Sequence, residues 1–475
     1  TSLIITPLEE FLPPDEMDEF LDWMAERGDQ ELAAYRAFEG VRSAEWMERV
    51  APTIASRTSA PFHVPRYFFG RYVTDRLTDL ANQAAALGIA TITEIPGEVA
   101  DLRRNGGLEL EIRSYTDDLS VRVRADRVVL AIGMPPTKTL LGDDPLVAAG
   151  YAGAEIIDRP YEPGLDHHLD QISSALNTAG EPHVVVLGAN AGSLELLYQL
   201  ANHPLIAHTQ PKITVISPQG QLPELFEAIP DSSSVFEATR LLALADRDAV
   251  TAAEVLAAVR HDLDRGRSAG HGVSETLPPI SAGVGGLISK MPQGELESFV
   301  NYEGVEIGRA QRRAGIEYCS AAADLEASGH LSIVRGAFAR LIEHEAGVTV
   351  AYTDPESGRE HTVDTPATAV VNCAGPSAVQ ADSSAPLIES IIGTGFCQAT
   401  DSGGGFRVND RMETAPGVFV NGPLLAGNII DGQPVWHVEH CGRIIKFSSI
   451  LADHLLGEFT AGVDELMESA AQPRS

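Results

Sequence analysis

Positive charge is scarce in this chain. Lys and Arg number 34 against 67 Asp and Glu, so the formal net charge over 475 residues is −33. A surface of that sign is repelled by phosphate backbones and anionic lipid, so neither nucleic acid nor a membrane surface is an expected partner. The acidic residues are spread along the chain, as a solvated surface requires. Cysteine is scarce too. Cys319, Cys373, Cys397 and Cys441 lie far apart with no C-x-x-C, which suggests neither a zinc knuckle nor a dithiol pair and reads as reduced core thiols. No apolar run approaches the ~18 to 20 residues of a membrane span, and residues 1–7 lack the basic and long apolar regions of a signal peptide. A cytoplasmic protein is expected. P-loop, Ser-His-Asp and metal-binding helix patterns are not found either, and the length suits two or three domains.

The most informative stretch present is Val184-Val185-Val186-Leu187-Gly188-Ala189-Asn190-Ala191-Gly192-Ser193-Leu194-Glu195. Four apolar residues run into a glycine turn and an amphipathic helix, the way a Rossmann-type fold aims backbone N–H groups at a pyrophosphate. The G-x-G-x-x-G pattern is half kept: Gly188 holds the first place, with Asn190 and Ser193 in the second and third. Lys212 to Ser217 follows at the right distance for the second strand of the unit. We therefore expect Gly188, Asn190, Gly192, Ser193 and Ser217 to line a nucleotide site; the alternative is a βαβ unit that binds nothing. An NAD site would usually carry Asp or Glu where Ser217 stands, so NADP(H) is expected over NAD(H), although no Arg partner follows Ser217. Asparagine tolerates left-handed angles, but its side chain at 190 takes space that a pyrophosphate needs, so NADP(H) is expected to bind weakly or shifted.

Elsewhere, the pattern predicts a helix over 15–27, an aromatic and basic cluster over 62–72, and a helix over 73–87. A β-meander is predicted over 97–124, then a buried strand over 127–133. A linker is predicted over 160–164, and residues 222–345 read as mainly helical, broken by a loop over 268–285. Another hairpin (348–363), the buried strand 369–376, the segment 416–423 and a long helix from about Gln433 to Leu456 complete the chain. Trp436-His437-Val438-Glu439-His440 reads as helical packing or the edge of a cofactor, since it lacks zincin spacing and a third ligand. Asp166-His167-His168-Leu169 reads as an exposed helix start. No metal site is expected.

Taken together, these segments resemble the two-dinucleotide-binding-domain flavoproteins, closest to a bacterial FAD/NAD(P)-binding protein family related to lysine and ornithine N-monooxygenases. The resemblance rests on Pro65-Arg66 with Gly70 and Tyr72, Val128 to Pro136, Asp158 to Pro163, Val184 to Glu195, Ile213 to Pro223, Val370 to Pro376 and Pro416 to Pro423. It implies an α/β fold of two Rossmann-like domains, with an NAD(P) domain (161–374, including a helical insert at 222–345) set into an FAD domain (1–160 and 375–475). Leu130 to Gly133 and Asn372 to Gly375 resemble the two crossings between them. One departure stands out: no full G-x-G-x-x-G precedes residue 184. Either an N-terminal segment is missing or the main FAD element has been lost, and the former is expected.

The implied chemistry is reduction of FAD by NAD(P)H, then reaction of reduced flavin with oxygen or transfer of its electrons elsewhere. A monooxygenase of a small amine or amino acid is the leading expectation. A reductase or oxidase without oxygen insertion, and a non-catalytic flavin-free scaffold or partner subunit, are the alternatives. By resemblance Arg66, Gly133, Gly422 and Pro423 lie beside FAD. Arg66 could hold a phosphate or offset reduced-flavin charge, or could instead be a structural arginine stacked on Tyr67 or Phe69.

Overall fold

The computed structural model describes residues 12–38, 46, 48–52, 56, 64–115, 119–162, 164–226, 236–380, 385–438 and 441–471. Pro14 opens the first helix, Pro14–Phe38, with Asp15 and Glu16 in the first turn where the helix dipole favours them. Met17, Phe20, Leu21 and Met24 bury its inner face, as their spacing predicts. The next helix is Arg66–Ala86, so the aromatic cluster expected ahead of a helix at 73–87 lies inside one. Packing explains the difference. Phe68 and Tyr72, one turn apart, are buried, and the Tyr72 ring meets Phe20 edge-on at 5.2 Å. Phe62 and His63 lie outside the described residues.

β1 (Gly97–Arg104), β2 (Leu108–Ser114) and β3 (Ser120–Ala125) form the expected antiparallel meander. Gly106 and Gly107, at φ 67° and 158°, make its first turn. β4 (Val128–Leu130) follows. The buried strand expected there is buried on one side only, because Val129 and Ile132 are each 41% exposed.

The larger sheet is built from β5 (Glu155–Ile157), β6 (His183–Leu187) and β7 (Lys212–Ser217), with the helix Ala191–Asn202 crossing between the last two. β8 (Glu224–Leu225) and β9 (Arg313–Ala314) pair in parallel at the base of the helical insert. β10 (Leu331–Arg335) returns to the sheet, and β11 (Ala337–His344), β12 (Gly347–Thr353) and β13 (Glu360–Thr362) make a small antiparallel sheet. β14 (Ala369–Asn372) closes the set. The five-stranded order is β10-β7-β6-β14-β5, every pair parallel. β6 and β14 are buried along their whole length, which is why they read as unbroken apolar runs. Chain order reverses between β6 and β14, and such a switch point opens a crevice at the carboxyl ends of the strands.

The insert packs five helices between Thr239 and Ala310 around Leu241, Val255, Val259, Ile280 and Phe299. The loop expected at 268–285 is mostly the helix Val273–Ile288, despite Pro278 and Pro279 within it. Glu224 Oε2 accepts from Val273 N at 3.0 Å and Glu275 Oε2 from Gly272 N at 3.1 Å. Those caps, with Ile280, Val284 and Leu287 buried, override the proline signal. From 331 to 344 the segment expected to be helical is strand.

β15 (Glu413–Ala415) and β16 (Val418–Val420) build a second sheet in which β16 runs parallel to β4. β17 (Asn428–Ile430) and β18 (Gln433–Val435) form a hairpin, so the final helix starts at Cys441 rather than near Gln433. The two segments joining the sheets run side by side: Thr137 bridges Pro376, Lys138 N donates to Gly375 O at 2.9 Å, and Ser377 N to Pro136 O at 2.8 Å.

His183, at the start of β6, is buried, with Nε2 2.9 Å from Thr214 Oγ1 and Nδ1 3.0 Å from Thr365 O. Burial lowers its pKa below the ordinary histidine value. A base whose folded pKa is depressed contributes stability that is complete above the unfolded value, about 6.5, and is lost as the pH falls toward the folded one. We expect His183→Gln to flatten the acid side of the stability profile, measured as urea midpoints at about pH 7.5 and 5.5; identical midpoint differences in both proteins would contradict this.

Candidate nucleotide and flavin site

The turn between β6 and its helix is held against β14. Gly188 has φ 104°, and a Cβ there would stand 2.4 Å from Cys373 O, so only glycine fits. Ser193, in the third glycine position, is fully buried and donates its hydroxyl to Gly188 O at 2.8 Å. It keeps the helix tight on the strand without needing a glycine. Asn190 behaves otherwise than its left-handed tolerance suggested, since its φ is −113°. It caps the helix: Oδ1 accepts from Gly192 N at 3.0 Å and Ser193 N at 3.3 Å. Those N–H groups are the ones a pyrophosphate would take. The amide end of Asn190 reaches the second crossing, where a Cβ on Gly375 would be 3.2 Å from Nδ2.

Replacing Asn190 by glycine frees both N–H groups and, at an N-cap, costs only a few tenths of a kcal/mol. Two net hydrogen bonds of about 0.5 to 1.5 kcal/mol each are then available to a phosphate. We expect NADP(H) to bind roughly five- to a hundredfold more tightly in calorimetric titration. Unchanged or weaker binding would show that the nucleotide does not use this helix.

Ser217 ends β7 with its side chain buried. It is 1% exposed, and its hydroxyl accepts from Gly220 N at 3.0 Å. Its part is to shape the turn that an adenosine ribose would overlie.

On the smaller sheet, Gly133 follows β4 and Gly422 follows β16, so both stand at the same end of adjacent parallel strands. Both have positive φ, 74° and 83°, and a Cβ at either would meet nothing within 4 Å. Neither glycine is crowded at its own Cβ position. Pro423 begins a single 3-10 turn, Pro423–Leu425. Asn421 pins the turn by donating its backbone N–H to Leu130 O at 3.0 Å and its amide to Ser448 Oγ at 2.8 Å.

Arg66 is exposed at the first position of its helix, while the rings after it serve the core. Tyr67 OH donates to Glu31 Oε2 at 2.9 Å and Tyr72 OH to Glu16 Oε2 at 3.0 Å. Burial first, and then the Glu16 hydrogen bond, push the Tyr72 phenol up to about 12. These rings of the aromatic cluster thus have structural partners. The Arg66 charge is felt at Tyr161, beside the nucleotide turn. Tyr161 OH donates to Gly192 O at 2.8 Å. The surrounding protein, and then the neighbouring Cys373 and Glu195, raise the Tyr161 phenol above its usual range even though the residue is 38% exposed, and the Arg66 charge opposes them. The same guanidinium opposes the burial that raises the Cys441 thiol. Burial raises Cys373 to about 12, so it stays protonated and is no nucleophile.

Two residues whose role the sequence did not reveal organise the crossings. The Asp158 carboxylate accepts from Leu140 N, Leu141 N and Gly142 N at 3.1, 2.9 and 3.1 Å. Asn372, fully buried, donates its amide to Asp158 Oδ1 and Lys138 O, each at 2.7 Å. Both stood inside quoted motifs, but nothing in their spacing marked them as partners.

The segment 436–438 precedes the last helix rather than lying in it, and Glu439 and His440 are outside the described residues. The Arg443 guanidinium stacks on Trp436 at 4.6 Å and donates to His437 O at 2.9 Å. Leu165–Thr178 is a helix whose start holds His168 between Gln171 Oε1 at 2.8 Å and Glu162 O at 2.9 Å. Among the described residues no group of three or more His, Cys, Asp or Glu could hold a metal.

Residues 10–135 match the FAD-NAD(P)-binding family model. That stretch includes Arg66, β4 and Gly133. Uncharacterized proteins of Mycobacterium bovis and Mycobacterium tuberculosis are 29% identical over 460 residues, covering 96% of this chain and 84% of theirs. Among solved structures, an FAD-bound cadaverine monooxygenase from Erwinia amylovora is similar at 11% identity with a TM-score of 0.48, covering 87% of this chain and 78% of that one. An ornithine N-hydroxylase from Kutzneria is similar at 13% and 0.45, covering 86% and 81%.

Proposed function

We propose that the protein is an FAD-dependent oxidoreductase that takes electrons from NADP(H), acting as a monooxygenase on a small amine or amino acid. The observation that carries the redox reading is the linkage of two strand ends: the Gly188–Asn190 turn abuts Cys373 and Gly375, and Gly375 O accepts from Lys138 N in the segment that follows Gly133. The match of residues 10–135 supports the flavin half. The amine substrate rests on the sequence resemblance alone.

The residues suit a flavin ring, since neither Gly133 nor Gly422 is crowded at its own Cβ position. With no full G-x-G-x-x-G ahead of residue 184, the FAD pyrophosphate has no assigned cradle among the described residues. When bound, FAD supplies the electron transfer. Gly133 and the Gly422–Pro423 turn would set the ring's floor. Arg66 would offset negative charge at the junction, and Gly188, Gly192 and the Asn190 cap would hold the nicotinamide nucleotide. We place the domain division near Thr137 and Pro376, ahead of β5 rather than at 160, because β5 pairs with β14 in the nucleotide sheet. Among the described residues no helix is long and apolar enough to cross a membrane, and we assign the protein to the cytoplasm with small molecules as partners.

The closed cap at Asn190 favours one second reading, a scaffold that binds no nucleotide. Oxygen-dependent NADPH oxidation by the FAD-supplemented chain, followed across diamines and basic amino acids, separates the readings. Substrate-stimulated oxidation with a hydroxylated amine as product is the expected result. Oxidation without such a product would leave a reductase or oxidase, and no oxidation would favour the scaffold.

A further inference from the structure

The Rossmann unit lacks a residue at the end of its second strand that could recognise the adenosine ribose: Ser217 is buried in its own turn, and no arginine follows it. The neighbouring strand supplies one. In the parallel pair of β10 with β7, Arg335 stands directly opposite Ser217. Gly336 N donates to Ser217 O at 2.9 Å, and Arg335 Nε donates to Pro218 O at 3.4 Å. The turn is shaped around this side chain. Gly220 has φ +66°, and a Cβ there would come within 2.7 Å of Arg335 Cβ, so the turn can lie on the arginine stem only as glycine. The guanidinium is held at its root by the turn while the side chain remains 53% exposed, paired through Nη1 with Glu356 Oε1 at 2.6 Å; the Glu356 side chain is 73% exposed. An ion pair that open is weak and readily exchanged for a dianion.

We propose that Arg335 is the specificity-determining residue for the nicotinamide nucleotide, binding the 2′-phosphate of NADP(H) from the third strand of the unit, with Glu356 as the carboxylate that the phosphate displaces. The assignment rests on the nucleotide reading of the β6–β7 unit. Arginine suits the task because its planar fork gives a phosphate two parallel N–H donors, and no carboxylate stands at the end of β7 to repel it.

The test compares 2′,5′-ADP with 5′-AMP by calorimetry on the full chain, since the pair differs only in the 2′-phosphate. The wild-type chain is expected to prefer 2′,5′-ADP. Arg335→Gln should weaken 2′,5′-ADP by roughly tenfold or more while leaving 5′-AMP within about twofold, and Arg335→Lys should keep part of the preference. Glu356→Gln, a change at an exposed position, should tighten 2′,5′-ADP by removing its competitor. Equal weakening of both ligands by Arg335→Gln, or no change in either, would overturn the assignment while leaving the nucleotide site standing. A wild-type chain that binds neither ligand would remove the nucleotide reading itself, and this assignment with it.

Discussion

Gly188→Ala destabilises the protein by about 3 kcal/mol or more and weakens NADP(H) binding by at least roughly tenfold. Two independent penalties act at this position. Its φ of 104° is one that side chains rarely adopt, costing about 1 to 3 kcal/mol. The added Cβ would also sit 2.4 Å from the Cys373 carbonyl oxygen and 2.7 Å from its carbon, both backbone atoms that cannot swing aside. The turn must back away from β14, opening the seam between the two central strands and tilting the helix whose N-terminus faces the crevice. Chemical denaturation gives the stability loss and titration the affinity. A variant as stable as the wild type would mean that the turn does not press on the second crossing.

Asp158→Ala is expected to cost a further roughly 3 to 5 kcal/mol, for a different reason. One carboxylate satisfies three consecutive backbone N–H groups and the Asn372 amide. Removing it strands three backbone donors at the place where both chain crossings meet, and leaves the Asn372 amide to backbone carbonyls alone. The lost stability is therefore coupled to the joint between the sheets rather than confined to a loop. Asp158→Asn, which keeps the shape but exchanges one acceptor for a donor, should lose less. A pair of variants with denaturation midpoints equal to the wild type would contradict the hub role. Because Lys138, bound to both Asn372 and Gly375, lies next in line, looser crossings should also accelerate proteolytic cutting near 136–142.

Much of the nucleotide unit was legible because its physics is local. The unbroken apolar run Val184 to Leu187 announces a strand buried on both faces, and Leu194, Leu197, Tyr198 and Leu200 announce the helix face that covers it. The meander could be read from strict alternation and a glycine pair. What sequence missed depended on contacts distant in the chain. Phe68 and Tyr72 read as a cluster ahead of a helix because the rings they pack on, Trp46 and Phe20, lie far upstream. Pro278 and Pro279 looked like breakers because the caps from Glu224 and Glu275 were not visible. At the turn, Gly188, Gly192 and Ser193 stand between strand and helix as the pattern predicts, whereas the capping geometry of Asn190 follows from a rotamer choice that spacing does not encode. Arg335 could not be found after Ser217, since it is beside that residue only through the ladder between β7 and β10. Tyr161 and Asp158 act through single hydrogen-bonded groups, which leave no periodic trace.

The most direct test of the account is the visible spectrum of the full-length chain after addition of FAD and removal of free flavin, followed by anaerobic NADPH. The account predicts that the two flavin bands stay with the protein and are bleached by NADPH. It also predicts that bleaching saturates at lower NADPH in Asn190→Gly than in the wild type. A chain that remains colourless, or keeps its flavin oxidised under excess NADPH, would contradict it.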